Sequence, residues 1–247
     1  MKMEWTPFVP RLGTWAEKLK PFYDSGGFDV IYDYLKAENS SGKKIAPDSR
    51  DTYRCFIETP LPSLKAVIVG MCPYHSVING VIVADGLAMG CSKTRLLQPT
   101  LHKFYEGLEM ELHKGLCLTC YWNANVAYLA HQGVLMLNAA LTTETGQPGA
   151  HQELWKPFMA CALKEVAKHR APIVFLGKDA SELSYSLESD YPYYELTHPV
   201  SAAYKSTKSS PFIWETQGVF TKVNDLLADN GIKPILWLEE KLHELDE

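Results

Sequence analysis

The sequence predicts an α/β protein with a central, mostly parallel four-stranded sheet between layers of helix. Three observations predict it. Four short strand-like runs, Ala66-Val67-Ile68-Val69, Gly133-Val134-Leu135-Met136-Leu137, Pro172-Ile173-Val174-Phe175-Leu176 and Tyr193-Tyr194-Glu195-Leu196, recur along the chain. The first three are apolar without alternation, as in strands buried on both faces. Amphipathic helical segments lie between and around them. Each run also ends abruptly, bringing Cys72, Asn138, Gly177 and His198 to what should be one carboxyl edge, the edge where open parallel sheets bind ligands.

The elements follow in chain order. Thr14-Trp15-Ala16-Glu17-Lys18-Leu19 and Phe28-Asp29-Val30-Ile31-Tyr32-Asp33-Tyr34-Leu35 carry apolar faces at helical spacing, with Thr14, Asp24 or Ser25 as cap or turn residues. Glu38-Asn39-Ser40-Ser41-Gly42-Lys43-Lys44 is polar and reads as a loop, and residues 51–56 as a helix before the first strand. Gly70 and Pro73 stop that strand. Asn79-Gly80 between apolar residues predicts a hairpin, because a type I′ turn needs positive φ twice. It reads either as a substrate flap or as a rim ornament.

Leu101, Phe104, Tyr105, Leu108 and Leu112 share a helix face opened by Gln98-Pro99-Thr100. Trp155, Phe158, Met159, Ala162 and Val166 share another, and Phe220, Val223, Leu226 and Leu227 a third. These are core faces. Lys164, Lys168, His169 and Arg170 read as solvated charges rather than a nucleic-acid patch. No repeat or linker divides the chain, so one domain over residues 1–247 is expected, with residues 1–60 as its N-terminal helical part.

A net charge of −5 excludes a protein that coats nucleic acid non-specifically. It leaves room for local DNA contacts through helix N-termini and backbone amides. No run reaches the roughly 18 apolar residues of a membrane span, and the first residues do not form a signal peptide. The expectation is a protein of the cytoplasm, associated with the nucleoid or, in a eukaryote, nuclear. The six cysteines, Cys55, Cys72, Cys91, Cys117, Cys120 and Cys161, fit reduced thiols there. Cys117-Leu118-Thr119-Cys120 has metal-ligand spacing but no matching second pair, so no metal and no cofactor are expected.

Gly70-Met71-Cys72-Pro73-Tyr74-His75 resembles the G-Q-D-P-Y-H loop of the family 1 uracil-DNA glycosylases. Leu135-Met136-Leu137-Asn138-Ala139-Ala140-Leu141-Thr142 is similar to their L-L-L-N-x-x-L-T, Thr145-Gly146-Gln147 to A-G-Q, and His198-Pro199 to the start of H-P-S-P-L-S. Weaker similarity runs from about residue 86 to residue 237. The resemblance implies a three-layer α/β/α sandwich and the hydrolysis of N-glycosyl bonds in DNA.

Breaking such a bond requires a pocket for an extruded base, help for the departing base anion, and stabilisation of the sugar cation with an oriented water. Asn138 suits the first task, since a carboxamide pairs with both a carbonyl and the adjacent imide N–H of uracil; alternatively it caps neighbouring backbone. The resemblance implies that His198 donates to the base oxygen gaining charge and that Tyr74 crowds the 5-position. It implies that Thr100, Gly146, Gln147 and Ser201 meet DNA phosphates; Thr100 can equally be a helix cap.

The pattern departs at the third task. Cys72 stands where the family has its water-activating aspartate, and a neutral thiol cannot support a sugar cation as a carboxylate does. Met71 replaces a glutamine, and Met89 replaces a base-stacking phenylalanine. Val200-Ser201-Ala202 replaces the segment whose leucine wedges into the duplex, leaving Ala202 in that place. Asp85 is the candidate substitute carboxylate. The expectation is a divergent DNA N-glycosylase that excises uracil or a modified pyrimidine weakly, from single strands or locally opened duplex, and binds the free base. The alternative is a non-catalytic DNA- or protein-binding protein on the same scaffold. A cysteine hydrolase using Cys72, His198 and Asp85 has the right residue types but no supporting motif.

Overall fold

The computed structural model describes residues 4–115, 120–205 and 212–240. The main helices and strands are α1 (Ala16–Asp24), α2 (Gly27–Ser40), β1 (Ala66–Gly70), α3 (Pro99–His113), β2 (Val134–Asn138), α4 (Gln152–Lys168), β3 (Ile173–Leu176), β4 (Tyr193–Leu196) and α5 (Val219–Asp229). The sheet has four strands in the order β2-β1-β3-β4, and every pairing in it is parallel. Strands β1, β2 and β3 are buried along their whole length. Only β4, at one edge, alternates with exposed residues. The three non-alternating apolar runs are therefore those covered by helices on both faces, as a parallel sheet requires.

Apolar helix faces close the layers. On one side Phe22 and Phe28 pack on Phe158 of α4 with ring centroids 5.3 and 5.5 Å apart, joining α1 and α2 to it. On the other, Phe104 of α3 meets Phe220 of α5 edge-on at 5.5 Å, and Phe220 meets Trp237 at 4.9 Å. Edge-to-face packing of this kind adds roughly 0.5–1.5 kcal/mol per pair beyond the area buried. The result is the expected three-layer α/β/α sandwich, with its sheet edge left open where β1 to β4 end.

Two local expectations change. Residues 38–40 belong to α2 rather than a loop. Glu38 is drawn inward because its carboxylate accepts from His151 Nε2 at 2.6 Å and from Lys43 at 2.7 Å. A polar stretch read as solvated is thus an anchor for the 142–151 segment. At α3, Pro99 is the first helical residue and Gln98 the cap, with no side-chain capping bond, so Thr100 does not cap the helix. The Asn79-Gly80 hairpin is present: Val77–Ile78 pairs with Val81–Ile82, and φ is 50° at Asn79 and 79° at Gly80.

A candidate base-binding cavity at the carboxyl edge of the sheet

Parallel register puts the ends of the strands side by side. Gly70 of β1 is paired with Asn138 of β2, and the Ala139 and Ala140 amides bond the carbonyls of Gly70 and Met71 at 2.8 and 3.2 Å. Here lies a cavity of about 210 Å³, lined by Met71, Cys72, Tyr74, Met89, Thr100, Asn138 and His198, with His75, Pro148, Val200 and Tyr204 at its margin. That is room enough for a single-ring base. A larger cavity of about 590 Å³ lies against Phe8, Arg11, Phe28 and Tyr53 and contains none of these residues.

Asn138 is buried. Its carboxamide lies against Gly70, where an added β-carbon would stand 2.8 Å from Oδ1. Among the described residues nothing hydrogen-bonds that carboxamide, so its donor and acceptor face the cavity. The backbone-capping alternative is not what the structure adopts. The Tyr74 hydroxyl is buried without a hydrogen-bond partner. Burial raises it well above the usual phenol range; Thr100 and the Leu101 amide pull it back in part, though neither bonds it with normal geometry.

His198 receives the Val200 backbone N–H on Nδ1 at 3.3 Å. In the neutral ring Nε2 must then carry the proton, so the imidazole is a donor on its other side. Burial lowers its pKa below 6.5, opposed by the charge of Asp179. Cys72 Sγ accepts the Gly149 N–H at 3.3 Å. Burial pushes the Cys72 thiol up to about 11, outweighing that hydrogen bond, so it is a neutral thiol at physiological pH. Among the described residues no carboxylate lines the cavity.

Asp85 is elsewhere. Its buried carboxylate accepts from the Leu87 and Ser92 amides at 3.1 Å each and from Ser92 Oγ at 2.5 Å, and pairs with Arg54 at 3.1 Å. A buried charge needs such partners, and with them Asp85 fastens the 85–92 loop rather than serving the cavity. That loop presents Met89, which is buried on the cavity wall at φ +61°, a strained value for a side chain of this kind.

Of the four residues expected at phosphates, Thr100 lines the cavity, while Gly146, Gln147 and Ser201 do not. Gly146 and Gln147 are exposed on a turn whose Gly146 amide bonds the His75 carbonyl at 2.9 Å. The Ser201 amide bonds the His198 carbonyl at 2.9 Å. Ala202, expected at the wedge position, is fully buried. Tyr204, which the sequence reading passed over, is 84% exposed at the cavity's margin. An aromatic shortly after the His-Pro turn was the available signal. None of the hairpin residues 77–82 lines the cavity.

Cys117 falls outside the described residues, and Cys120 lies 3.6 Å from His113 Nε2. Among the described residues no cluster of three or more His, Cys, Asp or Glu could hold a metal, and no helix is long and apolar enough to cross a membrane.

Fold and cavity together define a three-layer α/β/α protein with a partly polar cavity at the carboxyl edge of its parallel sheet. The chain belongs to the uracil-DNA glycosylase family. It is 31% identical over 230 residues to the uracil-DNA glycosylase of Acinetobacter baumannii, covering 91% of both chains. It is 30% identical over 231 residues to uracil-DNA glycosylase 2 of Listeria monocytogenes, covering 90% of this chain and 95% of that one. Among solved structures, mimivirus uracil-DNA glycosylase superposes with a TM-score of 0.78 at 21% identity over 96% of this chain and 90% of that one. The UNG of Nitratifractor salsuginis gives 0.59 at 16% identity over 93% and 96%. A mimivirus UNG variant in the same fold was solved in complex with UGI. No protein-family model matches the chain.

Proposed function

We propose that the protein is a DNA N-glycosylase for uracil or a modified pyrimidine, weak for want of a carboxylate in the cavity and selective for single strands or locally opened duplex. The observation that carries this is the convergence of Asn138, Tyr74 and His198 on one base-sized cavity. In the reaction the C1′–N1 bond breaks with its electron pair leaving on the base, and a water oxygen bonds to C1′ while its proton neutralises the base anion. Asn138 pairs with the imide edge, Tyr74 limits the 5-position, and Nε2–H of neutral His198 donates to the oxygen where charge grows. Met71 and Met89 cover the ring with adaptable thioethers. Thr100 at the start of α3, with Gly146, Gln147 and Ser201 further out, contacts the phosphates.

Tyr204 supports the strand preference. An exposed aromatic beside the cavity suits stacking on an unpaired neighbouring base, worth about 1–3 kcal/mol. One chain, residues 1–247, acts as a single unit on DNA in the cytoplasm or nucleoid.

A second reading, a protein that binds DNA or a protein partner without cutting, is favoured by the neutral Cys72 thiol. Release of free base from a panel of uracil- and modified-pyrimidine oligonucleotides, single- and double-stranded, tests both. Base released faster from single strands supports the glycosylase; binding without release supports the second reading.

A further inference from the structure

The sheet places an unassigned carboxylate between the two residues that most need one. β3 lies between β1 and β4, with Phe175 paired to Val69 and Leu176 to Leu196. Cys72 follows the end of β1, His198 follows the end of β4, and Asp179 follows the end of β3, just past Gly177. Gly177 packs directly on His198, so the short helix Lys178–Ser181 that bears Asp179 starts beside the segment carrying His198. Asp179 is exposed, and among the described residues its carboxylate has neither a hydrogen bond nor an ion pair, not even with its neighbour Lys178.

Resting on the glycosylase reading, we propose that Asp179 supplies the negative charge facing the sugar cation that forms as the C1′–N1 bond breaks. It forms no bond and takes no proton; it acts through space, across the gap between Cys72 and His198. Its field already reaches both, raising the proton affinity of each against or alongside the larger effect of burial. A charge acting from the rim is screened by water and salt, so its effect is smaller than that of a carboxylate in contact. On this reading base release is slow rather than absent.

The test compares binding of two single-stranded oligonucleotides in the presence of free uracil. One carries a protonated pyrrolidine in place of the target sugar, the other a neutral tetrahydrofuran. Asp179→Asn should weaken the cationic probe about tenfold, leave the neutral probe within twofold, and lower kcat for base release without changing KM. Asp179→Glu should restore cation preference. Equal loss on both probes, or none on the cationic one, overturns the proposal. If the unmodified protein releases no base, the glycosylase reading fails, yet the cation-to-neutral ratio still decides whether Asp179 faces the sugar. Since Asp179 is exposed, unfolding curves of both variants should match the unmodified protein.

Discussion

Gly177 and His198 are in direct contact: a β-carbon on Gly177 would stand 2.9 Å from the His198 Cβ. The Gly177 amide also bonds the Leu196 carbonyl at 2.8 Å, and its φ is +92°. Only glycine meets both demands without strain. Gly177→Ala should cost about 1–3 kcal/mol of stability in urea unfolding and lower base release by displacing the imidazole. An alanine variant as stable as the parent would mean that the turn yields freely.

Burial of neutral His198 makes stability depend on pH. Its folded pKa lies below the ordinary 6.5, so between those two values the unfolded chain binds more protons and stability rises with pH. The contribution is complete above about pH 6.5 and is lost as pH falls through the folded value. His198→Gln should flatten the urea midpoint between pH 8 and 5. An unchanged slope would remove His198 from the linkage.

Cys72→Asp should raise uracil excision by about tenfold or more, the scale of one preorganised charge at the reacting centre. The Gly149 N–H that now meets the sulfur at 3.3 Å would then support a carboxylate. The gain should grow with pH as the new acid ionises. A variant no faster than the parent would show that charge is not what the cavity lacks.

Asn138→Asp should weaken uracil and favour cytosine, because a carboxylate accepts from an exocyclic amine but repels a carbonyl. A change of about 1–3 kcal/mol in relative binding is expected, readable by calorimetry with uracil- and cytosine-containing strands. Indifference to the base would favour the non-cutting interaction protein.

Tyr204→Ala should loosen single-stranded uracil DNA by about 1–3 kcal/mol and leave binding of the free base unchanged. Equal losses for strand and base would place Tyr204 in the pocket wall instead.

Much of this was legible along the chain. The runs at 66–69, 134–137 and 173–176 are apolar on every residue, and a strand needs that only when both of its faces are covered. Their ends, with the amide of Asn138 and the ring of His198, met at one cavity because parallel strands all finish on the same side. Asn79-Gly80 made its turn because the requirement for two positive φ values is local.

The rest depended on partners distant in sequence. Asp85 and Asp179 look alike in a sequence: each is an aspartate within two residues of a glycine. Tertiary structure separated them, surrounding Asp85 with Arg54, Leu87 and Ser92 while leaving Asp179, past the end of β3, without a hydrogen bond or ion pair among the described residues. Glu38 likewise became a buried-side anchor only because His151 lies across from it. Ala202 and Tyr204 exchanged importance because the direction of a short helix, not residue type, decides which side chain faces out. The sequence by itself determined the sheet, its open edge and the side chains that line the cavity there, since strand burial and chain direction are written in local pattern. Only the tertiary structure decided where each charge acts, because the cost of a carboxylate depends on what the fold packs around it.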